Sequence, residues 1–250
     1  MKPFEILMIY NAIAFLIITI LLVLFKKFIK KDKTRDIVLK IIAISVVVIH
    51  YSSLYVDFFK NNGLAYVDKT MLLPIFPCHI TMWLLLIVAF IKNKESKTYS
   101  LLAEFTCFGG TFCALIGVLF NINFLDNPNI LDYHIFKGLI SHSVMILGTI
   151  YLYLFKYVSL TVPSTMKSII LGEAIFVLCG GLVNLLFKIF EIPSVNAMFM
   201  LEIPFKEYPF INFYTVGIFS ILFSFITLNI YELIKYPKEQ RWIFNIRKKK

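Results

Sequence analysis

Charge is what this sequence has least of. Asp, Glu, Lys and Arg make up 16% of the 250 residues, where a soluble domain carries about a quarter. With 59% hydrophobic residues and a mean hydropathy of +0.82, no soluble core of this length can hide so much Phe, Ile and Leu. The surplus must face lipid. Cysteine is scarce too. Cys78, Cys107, Cys113 and Cys179 stand in or beside apolar segments, none at metal-ligand spacing, which excludes a secreted disulfide framework and supports no zinc site. The chain lacks a GxSxG elbow, a Walker loop and an HExxH pair, which removes the common hydrolase, NTPase and metalloprotease signatures. The first apolar run, from Met1 to Phe25, has neither a sizeable basic leader nor a small-residue cleavage site. It therefore reads as a membrane span. No internal repeat or low-complexity linker interrupts residues 1–250, so a single transmembrane domain is expected.

What the sequence does contain is a series of apolar segments near twenty residues long, a length that selects helices over barrel strands. They run Phe4–Phe25, Ile37–Phe59, Leu72–Ile91, Leu101–Ile122, Ile135–Phe155, Ser168–Phe187 and Phe210–Ile234. The expected fold is an all-α polytopic transmembrane helix bundle of about seven spans. Basic residues crowd alternate loops: Lys26 to Lys40, Lys92 to Lys97, Lys156 and Lys167, and the tail from Lys235 to Lys250. The intervening loops mix lysines with acids, as in Asp57, Lys60, Asp68 and Lys69, or hold acids before any base, as in Asp126 and Asp132. The positive-inside pattern then places the N-terminus outside and the C-terminus in the cytoplasm of a cell membrane. The net charge of +10 is explained by that topology, and no nucleic-acid partner is implied. The last outer loop, Glu191 to Pro209, holds Met198, Phe199, Met200, Leu201 and Phe205 among Pro193, Pro204 and Pro209. It is too apolar for solvent. It reads as lying among headgroups, capping a cavity or docking on the bundle.

Sorted by depth, all four histidines (His50, His79, His134, His142) and Cys78 fall in the outer half of the membrane, as do Tyr51, Asn121 and Asn123. A lone intramembrane His is commonly a hydrogen-bond partner between helices, yet a group of ionisable residues marks a functional cavity. Pro74 and Pro77 make the segment before Cys78 look like a helix start. There the unsatisfied N–H groups and the dipole favour a thiolate. A histidine on another span would complete a Cys–His nucleophile pair, and His142 is the best placed. His79 adjoins Cys78, but helix neighbours diverge by about 100°, which suits headgroup binding better. Glu104 and Glu173 read as snorkelling or capping residues at cytoplasmic helix ends. Gly109-Gly110 and Gly180-Gly181 read as sites of close helix contact.

The segment Pro74 to Ile80 resembles the cysteine motif of the YwaF-like integral membrane proteins of bacteria and the related eukaryotic transmembrane protein 164 family. The span around His142 resembles the family's histidine helix. Asn196-Ala197-Met198-Phe199-Met200 followed by Pro204 is similar to its segment after the sixth span. This sequence departs from the usual bacterial motif at Phe76, His79 and Ala197. The resemblance implies an acyltransferase that moves fatty acyl chains between membrane phospholipids and lysophospholipids, with Cys78 and His142 catalytic and no cofactor or metal. Substrate contacts are expected from His79, His50, Tyr51 and Asn196. The alternative is a transport or substrate-binding subunit with an outward polar pocket, which would tolerate Cys78→Ala. The oligomeric state is not legible.

Overall fold

The structure is a computed structural model describing residues 3–61, 63, 69–121, 124–125, 127–190, 195–203, 209–210 and 212–245. Of the features above, Asp68, Ile122, Asn123, Asp126, Glu191, Pro193, Pro204, Phe205 and Arg247 to Lys250 lie outside those residues. Helices carry the described chain throughout: α1 (Pro3–Phe28), α2 (Asp32–Asn61), α3 (Pro77–Phe90), α4 (Lys97–Leu119), α5 (Tyr133–Leu154), α6 (Val162–Ile189) and α7 (Phe213–Lys235). Six of these are long and apolar enough to cross a membrane. The seventh, α3, has only 14 residues, about 21 Å at 1.5 Å per residue against a core of about 30 Å.

The reason α3 is short lies in its prolines. The expected span began at Leu72, but Phe76 precedes Pro77 and is held extended at ψ 153°, because the ring of a following proline excludes the helical region. The chain therefore reaches Phe76 through a 3₁₀ turn over Lys69–Leu72 and enters the helix at Pro77. Polar caps set other starts. Asp132 accepts from the His134 and Ile135 amides, and Asn212 forms a reciprocal cap with Thr215, which starts α7 three residues later than its apolar run.

The helix α5 lies at the centre, flanked by α2, α3 and α4, while α6 packs on α4 and α7 on α6. Small residues set the spacing. A Cβ at Gly148 would stand 2.7 Å from Leu85 and 3.0 Å from Ile42, and one at Gly172 would enter the Phe105 ring. Gly110 receives the methyl groups of Thr81 and Thr149, so it admits α3 and α5 together. Gly180 meets Met198 and Met200 of the last loop, and Gly181 faces open space. That pair thus seats a loop where helix contact was expected. The outer faces of α1 and α7 expose Leu16, Ile20, Ile218 and Leu222, as lipid contact requires.

The basic loops meet at one end of the bundle. Lys94 and Tyr157 both bond to Asp36, and Tyr151 donates to the Arg35 carbonyl at 3.1 Å. Deeper on that side, Glu104 does not snorkel. It is buried and accepts from Ser100, Ser164 and Ser168, so its carboxylate ties α4 to α6. Burying a charge requires such hydrogen bonds. Glu232 does a related job, accepting from the Val162 and Trp242 amides.

Candidate functional site at the start of α3

At the other end, four helix termini converge. Alternating chain direction brings the last half of α2, the start of α3, the end of α4 and the start of α5 together. Their polar residues are His50, Tyr51 and Ser53; Cys78 and His79; Cys113 and Gly117; Lys137 and His142.

Cys78 is the second residue of α3, after Pro77, and Phe76 offers no side-chain cap. Its half-buried sulfur lies beside the backbone N–H groups of Cys78 and His79 and within electrostatic reach of Cys113 and Lys137. His142 enters from α5. Its Nδ1 bonds to the Gly138 carbonyl at 2.7 Å, so Nδ1 carries the hydrogen and Nε2 keeps the lone pair. The ring lies on Gly117, where a Cβ would stand 2.4 Å from Nε2. Cys113 and Gly117 are one turn apart on α4. His142 therefore packs on α4 one turn from Cys113, which has Cys78 within electrostatic reach. No direct hydrogen bond joins thiol and ring among the described residues.

The His50 ring stacks edge-on against His79 at 4.5 Å and against Tyr51 at 5.0 Å. It has Lys137 and His142 within electrostatic reach. His79 bonds through Nδ1 to the Leu73 carbonyl at 3.0 Å, which ties its ring to the segment before α3. The Tyr51 hydroxyl accepts from the Trp83 indole at 3.2 Å. His134 stands apart, paired with Asp57 at 2.9 Å.

Asn196 bonds within its own loop. Its side chain accepts from the Leu201 and Glu202 amides and donates to the Glu202 carbonyl, which closes its own loop. That loop docks on the bundle: Ala197 and Met198 are fully buried, and the Met198 amide bonds to the Ile75 carbonyl, two residues before Pro77. Asn196, Met198 and Phe199 take left-handed φ values of 46°, 56° and 54°, a conformation non-glycine residues adopt at a cost of about 1–3 kcal/mol each. Asn184 of α6 holds this shape, accepting from the Ala197 amide at 2.8 Å and donating to its carbonyl at 3.1 Å.

Two residues escape a reading from sequence. Lys137 passes for a loop-flanking base, yet it is buried and donates to Ser53 at 3.4 Å and to the His50 carbonyl at 3.5 Å. Its position within the first turns of an apolar segment was the available signal. Asn184 had a similar one, as an amide inside the sixth span.

No curated protein and no solved structure matches the chain. The TMEM164 family model matches residues 1–231, a stretch that includes every helix described above as a span except the last turn of α7. That stretch holds both the cysteine-bearing α3 and the histidine-bearing α5, and the chain belongs to the TMEM164 family.

Proposed function

We propose that this protein is an integral membrane acyltransferase that moves a fatty acyl chain between phospholipids and lysophospholipids, working in the outer half of the cell-membrane bilayer. The observation that carries the reading is that Cys78 at the start of α3 and His142 on α5, its lone pair on Nε2, belong to one polar cluster in which both lie within electrostatic reach of Lys137. A thiol alone would be a packing residue; a thiol with a correctly tautomerised imidazole nearby is a nucleophile with its base.

The reaction then runs in two balanced steps. His142 Nε2 takes the Cys78 proton, and the sulfur attacks the ester carbonyl carbon. The tetrahedral oxyanion has the Cys78 backbone N–H, at the start of α3, beside it. The C–O bond breaks, the departing lysolipid oxygen takes the proton from Nε2, and the acyl group remains on sulfur as a thioester. A hydroxyl of a second lysolipid gives its proton to Nε2 and attacks the thioester, which restores the thiol and forms the new ester. Water in that place would give hydrolysis.

Intact-protein mass spectrometry after incubation with phospholipid tests the reading. The expected result is a mass increase of one acyl group that maps to Cys78, disappears on addition of lysolipid, and is absent from Cys78→Ala. Acyl transfer that persists in purified Cys78→Ala overturns it in favour of the transport or substrate-binding alternative. His142→Ala should lower turnover by about 10²–10⁴-fold.

A further inference from the structure

Two of the free thiols stand close together at the candidate site. Cys78 belongs to α3 and Cys113 to α4, and both are partly accessible. Their nearness follows from how the two helices cross. The Thr81 methyl lies on Gly110, where a Cβ would stand only 2.6 Å away, and a glycine at a crossing lets helix backbones approach closely. Cys78 is one turn before Thr81 and Cys113 one turn after Gly110, so each shares a helix face with a member of that contact. The two helices run in opposite directions. Both steps therefore lead the same way, towards the end that holds His142. Cys78 is accordingly within electrostatic reach of Cys113, and the Thr81 side chain lies beside the Cys113 sulfur. A disulfide needs Cα atoms within about 7 Å, and a glycine-seated crossing is where separate helices come that near. The other two cysteines are placed differently. Cys107 is buried deeper along α4, and Cys179 is on α6, outside the α3–α4 crossing.

We infer that Cys113 is a resolving thiol for Cys78, and that a peroxide converts the pair to a reversible disulfide. The chemistry balances in two steps. The Cys78 sulfur attacks one peroxide oxygen and the O–O bond breaks. The sulfur becomes a sulfenic acid, and the departing oxygen takes the thiol proton and leaves as water. The Cys113 sulfur then attacks the Cys78 sulfur, the S–O bond breaks, and the Cys113 proton leaves with that oxygen as a second water. The two thiols are oxidised together and the peroxide is reduced. Without a neighbouring thiol, a sulfenic acid goes on to sulfinic acid, which thiol reductants do not reverse. A disulfide reopens by exchange with a dithiol. The effect on turnover rests on the acyl-transfer reading: a sulfur held in a disulfide cannot attack an ester, so oxidation stops the reaction reversibly. The disulfide itself is measurable without that reaction.

The experiment is intact-protein mass spectrometry of the full chain in detergent after exposure to micromolar hydrogen peroxide, followed by peptide mapping. The expected result is the loss of two hydrogen masses, a crosslink between the Cys78 and Cys113 peptides, and recovery of both thiols with dithiothreitol. Cys113→Ser should lose the crosslink and accumulate Cys78 sulfinic acid severalfold above the parent chain. Cys179→Ser should form the crosslink as the parent chain does. A crosslink that maps to Cys107 or Cys179, no crosslink at all, or sulfinic acid at Cys78 no higher in Cys113→Ser overturns the inference. If Cys113→Ser is not recovered folded, the crosslink map of the parent chain decides alone. The two readings fail separately. A protein that forms the crosslink but is never acylated by phospholipid keeps this inference and loses the acyl-transfer reading. One that is acylated at Cys78 without forming the crosslink does the reverse.

Discussion

Gly117 shows how much of this site depends on an atom that is missing. His142 can lie against α4 only because position 117 has no Cβ; one placed there would stand 2.4 Å from both Nε2 and Cδ2. The backbone at 117 is not left-handed, so alanine fits the helix and the strain falls on the imidazole alone. Gly117→Ala should therefore lower acyl transfer by about 10²-fold, the effect of a displacement near 1 Å in a catalytic group, while both chemical groups remain. Gly181→Ala is the control: nothing lies within 4 Å of that Cβ, and activity should be unchanged. Turnover and thermal midpoint measured together decide it; full activity in Gly117→Ala would show that the packed ring position is irrelevant to turnover. At this scale the sequence was partly legible. Cys78 after Pro77 and His142 within a span are visible as residue types at a depth, because proline position and hydropathy are local. The burial of Lys137 was not, since it depends on which way α5 turns towards Ser53 and His50, and single-sequence periodicity does not fix that rotation.

Between elements, the loop after α6 acts as a wedge under the start of α3. The Met198 amide reaches the Ile75 carbonyl, Phe199 leans on Phe76 at 5.1 Å, and the side chains of Met198 and Met200 fill the space above Gly180. This arrangement fixes where the helix carrying Cys78 begins, and it is maintained against three left-handed residues by the Asn184 clasp. Asn184→Ala removes both clasp bonds and leaves the Ala197 amide without its acceptor. The expected loss is about 1–3 kcal/mol, seen as a lower thermal midpoint. Hydrogen exchange should also quicken at Ala197–Phe199 and at Ile75, because the strained turn relaxes once released. Unchanged exchange there would mean the loop is held by apolar packing alone. The apolar character of this loop was evident from Met198 to Leu201, and docking was one of the readings it allowed. Its left-handed turn was not foreseeable, because none of its positions is glycine and only the clasp from a distant helix makes the conformation tolerable. The length of α3 is the converse case: two prolines shorten it, and the pre-proline rule, applied at Phe76, would have recovered the boundary from sequence.

Across the whole molecule, the two ends of the bundle differ in chemistry, and that difference makes both stability and topology testable. At the basic end, burial and then the hydrogen bond to the Asp36 carboxylate push the Tyr157 hydroxyl above its ordinary value of 10.0. The unfolded chain releases that proton near its ordinary value while the folded chain holds it. Stability from this contact is therefore complete below that value and falls as pH rises beyond it. Tyr157→Phe should be less stable at neutral pH yet lose stability less steeply above that value, read as thermal midpoint against pH; equal slopes would dismiss the linkage. The same end gathers Lys26 to Arg35, Lys92 to Lys97, Lys156 and Lys167, and Lys235 to Arg241, joined through Asp36, Glu232 and the Arg35 carbonyl. The positive-inside rule assigns that end to the cytoplasm, and since α2 to α5 carry the Cys78 cluster at the opposite end, the site should open towards the outer leaflet. Hydropathy made the multi-pass helical bundle legible in the sequence, because the cost of exposing apolar helix acts on composition, while the orientation is what Lys/Arg placement leads one to expect. Single cysteines introduced into a background lacking all four native ones test the orientation. Asn127→Cys, between α4 and α5, should react with a membrane-impermeant maleimide in intact cells. Glu95→Cys, between α3 and α4, and Asn245→Cys, beyond α7, should react only after the membrane is opened. Labelling of Glu95→Cys in intact cells with Asn127→Cys protected would invert the molecule. The Cys78 thiol would then face the inner leaflet, with the chemistry unchanged but the lipid pool it meets exchanged.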